Sequence, residues 1–578
     1  MRRCFLACLA LLLITLSGCT APRTEHGTFV CAGDWDMPPA FHGNPWSPGG
    51  VNVLQGWIYE PLFLYVPATG EWRPRLGTSF TESPDHLTLS VQVRPNAYWH
   101  DGARLTSDDV RTTFYLAWLK GMPIWHFLER IDCPSDTTVV FHFKRAAPAA
   151  RVLALTEWIT SPTHLFSAWS QPLPAVMAAR ESGHPSPDEL KLRESMYRYH
   201  PDMPIGTGPF RLTRASFSDL VAEKFTQHYD AAHVQFDQLR IMRWGQSNQI
   251  AWSYLIAGDL DAAGAACPFD LTAEILKRNP QTRLYLPSDR SEFGIVFNCT
   301  RAPFSDVHFR QAVAYLVDKD LVRQISNTYA TTTPDYNLGL LYSYRQRWLG
   351  DGWQTGMTDY HTDADKARAL LEQAGLRQSA AGQWCRSDGR PLTVEILAPN
   401  GYNDFVLMAE AIASQLTAHG LSAQVRALPL ELYGSWLLDH KFDMAASFGV
   451  QLFRLDDPAS CFDVFYQHDG LVRMASALPR VVKDADGRDF DTEQAVERLE
   501  GYLPPAEQQR LSRQLAWVTN EYLPFLTCYE KNLMLFVMNG RHVAQWPAPE
   551  DPIWSSCSTG LETVYATLMT EGKLGVAP

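Results

Sequence analysis

No single hydrophobic core can serve a chain of 578 residues, because cores stop growing near roughly 250 to 300 residues. Two or three domains are therefore expected. With 46% hydrophobic and 20% charged residues, 36 Gly and 38 Pro, the chain can fill ordinary globular cores, and disordered, collagenous and coiled-coil classes are excluded. Its formal charge of −13 opposes a sequence-independent grip on phosphate backbones, so nucleic acid is excluded as a partner. The 18 Trp are unusual. An indole ring suits a large core, and it equally suits a surface that holds the flat apolar face of a ligand.

Arg2 and Arg3 precede an apolar run from Phe5 to Leu16 that ends in Leu16-Ser17-Gly18-Cys19. This is the order of a secretory signal peptide, and the run is too short for the ~20 apolar residues of a bilayer span. Leu-Ser-Gly-Cys resembles the bacterial lipoprotein box, which implies cleavage after residue 18 and a lipid on Cys19. Two acyl chains anchor a protein stably where one does not. The expected location is extracytoplasmic, tethered to a bacterial membrane, with no later stretch able to cross it. Cys31, Cys133, Cys267, Cys299, Cys385, Cys461, Cys528 and Cys557 remain; they are widely spaced and their pairing stays open.

Leu87, Leu89, Val91 and Val93 alternate with polar residues, a half-buried strand. Thr106-x-x-Asp109 then opens a helix as a capping box, and a second strand runs from Thr138 to Lys144. Further on, Leu392 to Ala398 reads as a strand, Asn403 to His419 as a helix ended by Gly420, and Leu421 to Leu428 as another strand, a βαβ unit. Thr362 as N-cap and Gly375 as C-cap bracket one more helix. The class is mixed α/β.

Catalytic motifs are missing from the sequence. Gly206-Thr207-Gly208-Pro209 lacks the third glycine of a dinucleotide loop and reads as a turn. None of the 17 His lies two to four residues from another, so no compact metal pair is written, and no cofactor is expected. Asp108 and Asp109 fit a helix cap; Asp456 and Asp457 fit the start of a turn at Pro458.

Six strings in order resemble the bacterial extracellular solute-binding proteins of family 5, which serve ABC importers of peptides, nickel and some oligosaccharides. They are Tyr59 to Phe63, Val93 to Gly102 with Leu105 to Val110, Ile205 to Phe210, Ala257 to Asp261, Phe297-Asn298 with Pro303 to Val307, and Arg310 to Val313. The resemblance implies a bilobed, type II periplasmic-binding-protein-like clamp with an extra inserted α+β domain. Domain I would comprise 29–72, 204–296 and 544–578, domain II 73–203, and domain III 297–543. It implies a monomeric receptor with no catalytic residues that hands a ligand to an ABC permease and its ATPase.

Peptide-binding members carry Gly-Trp and then an Asp that pairs with the peptide amino terminus. Alignment on Asp457-Pro458 puts Gln451 at the Trp and Arg454 at that Asp, and a cation there repels an ammonium. A loop insertion would instead let Asp456 take the role. Asn44-Pro45-Trp46, Gly56 to Pro61 and Pro67 to Glu71 are closer to the oligosaccharide-binding members. The expected ligand contacts are Trp46, Trp57, Phe448, Gln451, Arg454 and Asp457, with an oligopeptide as ligand and an oligosaccharide as the alternative. A secreted glycan hydrolase is a rival from another class, and a sensor feeding a membrane kinase or chemoreceptor is a third.

Overall fold

The computed structural model describes residues 27–35, 42–47, 54–180, 184–245, 247–331 and 333–578. Cys19 and the signal segment lie outside them. Among the described residues no helix is long and apolar enough to cross a membrane.

Two sheets carry the two lobes. The first has seven strands in the order Phe210–Ala215, Asp219–Lys224, Gln238–Arg243, Thr28–Gly33, Ala262–Gly264, Leu535–Met538 and Thr282–Tyr285. The second has five, ordered Ser422–Leu428, Thr393–Pro399, Met444–Gln451, Ser288–Phe297 and Phe525–Asn532. Each sheet has its own core. That of the first gathers Phe29, Trp57, Phe210 and Tyr565; that of the second gathers Phe293, Ile295 and Phe405 on one face and Val296, Phe462 and Phe525 on the other.

The predicted βαβ unit is present. Thr393–Pro399 and Ser422–Leu428 pair in parallel, joined by the helix Asn403–Ala418, and Gly420 takes the left-handed conformation that ends it. The helix Ala364–Gln373 is capped one residue later than predicted. Asp363, rather than Thr362, accepts from Asp365 N at 3.2 Å and Lys366 N at 3.0 Å, because a carboxylate is a stronger acceptor beside the helix N-terminus.

The inserted unit is a four-stranded antiparallel sheet, Gly77–Glu82, Thr88–Val93, Thr138–Phe143 and Leu128–Ser135, covered by helices. Its predicted capping box is present at Ser107–Leu119, with Thr106 N donating to Asp109 Oδ2 at 2.8 Å. Gly206 and Gly208 lie flat against the backbone of Trp57 and Ile58, where any Cβ would collide with a carbonyl. The Gly-Thr-Gly string is thus a site of close backbone approach.

The chain passes between the two large sheets twice, at Leu286-Pro287 and at Leu533-Met534. Leu533 N donates to Pro287 O at 2.8 Å, so the crossings run side by side. Two antiparallel strands shared in this way make a narrow hinge. The strand Ser288–Phe297, which follows the first crossing, pairs with Met444–Gln451 and Phe525–Asn532 of the second sheet.

Candidate functional site

A crevice of about 530 Å³ lies between the lobes beside the hinge, within the size range of small-ligand sites. The first lobe contributes Trp252 from the helix Asn248–Ala257, the turn Ala266–Cys267–Pro268, and Phe269 at the start of Phe269–Arg278. The second lobe contributes the end of the helix Lys319–Ser326 and the Asn400–Asn403 turn. That turn follows the C-terminal end of a parallel strand, where open α/β sheets bind ligands.

The walls are braced from behind. Trp252 Nε1 donates to Ala266 O at 2.9 Å, which fixes the indole. Cys267 N donates to the Met534 thioether at 3.3 Å, tying the first-lobe wall to the hinge. Phe269 stacks on Tyr329 across the lobe boundary, with ring centroids 6.4 Å apart. Lys531 Nζ lies 3.2 Å from Asp404 Oδ2 and 4.7 Å from the Phe293 ring centroid. Burial favours its neutral form, but Asp404 and then Asp289 hold it above the ordinary lysine value. The crevice thus offers amides from Asn248, Asn400, Asn403 and Gln324 beside the Trp252 and Phe269 rings. Such a lining hydrogen-bonds polar edges and packs apolar faces.

The sequence-predicted contacts fall elsewhere. Trp57 is fully buried in the first-lobe core, 5.7 Å from the Phe29 ring and 5.8 Å from Phe210. Trp46 is buried in the inserted unit with Leu116 and Phe166, its Nε1 donating to Ser161 Oγ at 2.7 Å. Neither reaches the crevice, because both rings are spent on packing. Phe448 packs 4.8 Å from Phe293 and 4.9 Å from Phe405. Gln451 sits opposite Ser291 at the end of its strand. Asp457 caps the helix Pro458–Tyr466 through Ser460 N at 2.9 Å and Ser460 Oγ at 2.7 Å. Arg454 donates to Thr156 O at 2.9 Å and pairs with Glu157 at 3.3 Å, both in the inserted unit. Asp456 is held by Arg290 and Arg347, each at 2.9 Å.

A second cavity of about 530 Å³ lies between the inserted unit and the second lobe, with Asp457, Asp463, Asp469, Glu497 and Glu500 facing His126 and Arg145. Burial, then the charges of Glu500, Asp469 and Asp457, push the Asp463 carboxyl up to about 7. Among the described residues no group of three or more His, Cys, Asp or Glu is arranged to hold a metal ion.

Residues 71–470 match the family model described as "Bacterial extracellular solute-binding proteins, family 5 Middle". A Brucella ovis protein named for peptide binding in an ABC transporter is 25% identical over 461 residues, covering 75% of this chain and 76% of the relative. A crystal structure of a Thermotoga maritima oligopeptide ABC transporter, periplasmic oligopeptide-binding protein superposes with a TM-score of 0.74 at 19% identity, covering 96% of this chain and 100% of that one. The mannohexaose-bound structure of that protein gives 0.71 at 20% identity, covering 96% and 99%.

Proposed function

The chain belongs to the bacterial extracellular solute-binding proteins of family 5, and from that premise we propose that it is the lipid-anchored receptor of an ABC importer, closing its lobes on an oligopeptide and passing it to the permease. The family consists of extracytoplasmic binding receptors, so the chain's part in import is capture and not chemistry. On this reading residues 1–18 are removed and Cys19 carries the lipid.

One observation carries the reading: a ligand-sized crevice spans two sheets between which the chain crosses at 286–287 and 533–534. A ligand that touches both walls stabilises the closed arrangement. Moving such a clamp from mostly open to mostly closed takes about 5.5 kcal/mol of differential binding. Peptide is the first reading, supported by the name of the Brucella relative. An oligosaccharide is the second, favoured by the amide and aromatic lining and by Lys531 being already engaged by Asp404.

Melting curves of the purified protein with trialanine, a pentapeptide mixture and mannohexaose test this. A solute that binds only the folded state raises the melting temperature, by about 2.7 kcal/mol of stabilisation at a hundredfold excess over Kd. The Trp252→Ala variant is expected to lose that shift. Catalytic turnover of the glycan would instead establish the hydrolase.

A further inference from the structure

The loop after Met444–Gln451 touches every part of the clamp. Phe453 O accepts from Ser558 Oγ of the first lobe at 2.8 Å and from Arg290 Nη1 at 3.1 Å. Arg290 Nη2 also donates to Leu455 O at 2.7 Å and to Asp456 Oδ1 at 2.9 Å. Arg454 reaches the inserted unit, bonding Thr156 O and Glu157 with its guanidinium 4.8 Å from the Trp158 ring centroid. The Arg454 and Glu157 side chains are 16% and 10% exposed, so their attraction is only partly screened by solvent.

Arg290 is the third residue after the Pro287 crossing. Its backbone lies in the left-handed region, at φ 56, and so does that of Phe453, at φ 41. L-residues adopt that region at a cost and keep it only where the surroundings impose it. The Arg290 side chain is 2% exposed and its Asp456 partner 4%. A guanidinium rooted at the hinge therefore holds a strained loop whose outer face grips the opposite half of the molecule. Turning the hinge moves the root of Arg290 and with it the loop.

We propose that Arg454 is a closure latch, positioned from the hinge by Arg290, which holds the inserted unit against the second lobe whether or not a ligand occupies the crevice. The inference rests on the reading of the chain as a closing receptor. It assigns Arg454 to the clamp and not to the ligand. Its consequence is a ligand-free protein that already samples the closed arrangement, which lowers the differential affinity a ligand must supply.

The test is small-angle X-ray scattering of the purified ligand-free protein, wild type and Arg454→Ala, at 0.05 and 1 M NaCl. The variant is expected to be more expanded at low salt, its closed-to-open ratio lower by roughly tenfold, the scale of one charge-assisted hydrogen bond. Raising the salt should expand the wild type more than the variant. Arg454→Lys keeps the charge but loses the fork, and restores part of the compaction. Identical scattering from wild type and Arg454→Ala at both salts overturns the latch. If near-ultraviolet dichroism shows that Arg454→Ala has lost its fold, Glu157→Gln decides, because it leaves the bond to Thr156 O intact. Expansion of that folded variant supports the latch, and none overturns it. Failure of the receptor reading is separate: turnover of mannohexaose by the wild type would defeat it whatever the scattering gives.

Discussion

The inserted unit is joined to its two neighbours in opposite ways. Against the first lobe the joint is buried and saturated. Glu60 pairs with Arg75, accepts from Tyr229 OH at 2.8 Å and lies 3.1 Å from His228 Nε2, while Arg75 also donates to Thr570. Burial alone would raise the Glu60 carboxyl, but Arg75, His228 and Tyr229 bring it down to about 2. Against the second lobe the joint is a row of separate contacts at the rim. They include Arg454 on Thr156 and Glu157, Arg145 on Glu500, and Tyr502 on Glu82 and His86. A buried charge network is costly to open, since each ion must be desolvated or left unpaired, whereas separate part-exposed contacts can be given up one at a time at smaller cost. On the receptor reading the inserted unit is expected to move with the first lobe, with closure along the rim.

The sharpest way to break this contrast is Glu60→Ala. It leaves the Arg75 guanidinium buried without its carboxylate, and about 3–5 kcal/mol of stability should be lost. Denaturant unfolding would measure it, and a loss comparable to that of a rim variant would erase the distinction. The pH dependence has a definite sign. Glu60 titrates below the ordinary glutamate value of 4.5, so its stabilising effect is present above that pH and is lost as pH falls toward 2.

A third joint, the hinge itself, sharpens the comparison. Glu292 and Glu530 face each other in register on the two crossing strands. Burial and the neighbouring Glu530 charge push Glu292 well above the ordinary range, and among the described residues its Oε2 has no hydrogen-bond partner. Burial likewise raises Glu530, which accepts from Ser343 N at 3.2 Å. Groups raised in the folded state stabilise it below the unfolded value of 4.5, and that stability is lost as pH rises through the folded values. Measured at pH 5 and at pH 8, the wild type should lose stability that Glu292→Gln retains, leaving the variant ahead at the higher pH. Urea titrations at the two pH values measure the difference. Equal slopes would mean that the pair is paired by a cation or open to water.

Local chemistry was legible in the sequence and long-range assembly was not. The Thr106–Asp109 capping box and the strand, helix and strand over 393–428 depend on neighbours a few residues away, so periodicity reports them. The cap falls on Asp363 rather than Thr362 because the carboxylate is the stronger acceptor of two competent neighbours, a choice the spacing does not make. The crevice draws on segments near residues 250, 268, 326, 402 and 534, and no spacing rule links them. One clue lay in the sequence: the Asn400-Gly401-Tyr402-Asn403 turn closes a predicted parallel strand at its C-terminal end. Trp46 and Trp57 pack in cores, and an indole serves a core as well as a ligand, a choice that composition does not make. The sequence shows Arg454 but not its partner, because Glu157 lies 297 residues away in the inserted unit.

The mildest test falls on a single oxygen. Tyr502 OH donates to Glu82 Oε1 at 3.1 Å while its ring stacks on His86 with centroids 3.7 Å apart. Tyr502→Phe keeps the stack and removes only the hydrogen bond. Glu82 retains Arg151 at 2.8 Å, so no charge is stranded. A part-exposed bond of this kind contributes about 0.5–1 kcal/mol, enough to shift a closed-to-open ratio two- to fivefold and too little to alter global unfolding. Scattering should therefore register the variant while its urea midpoint stays within error of the wild type. A midpoint that falls together with the compaction would make the rim part of the cooperative core, and the inserted unit would then be fixed to both lobes alike.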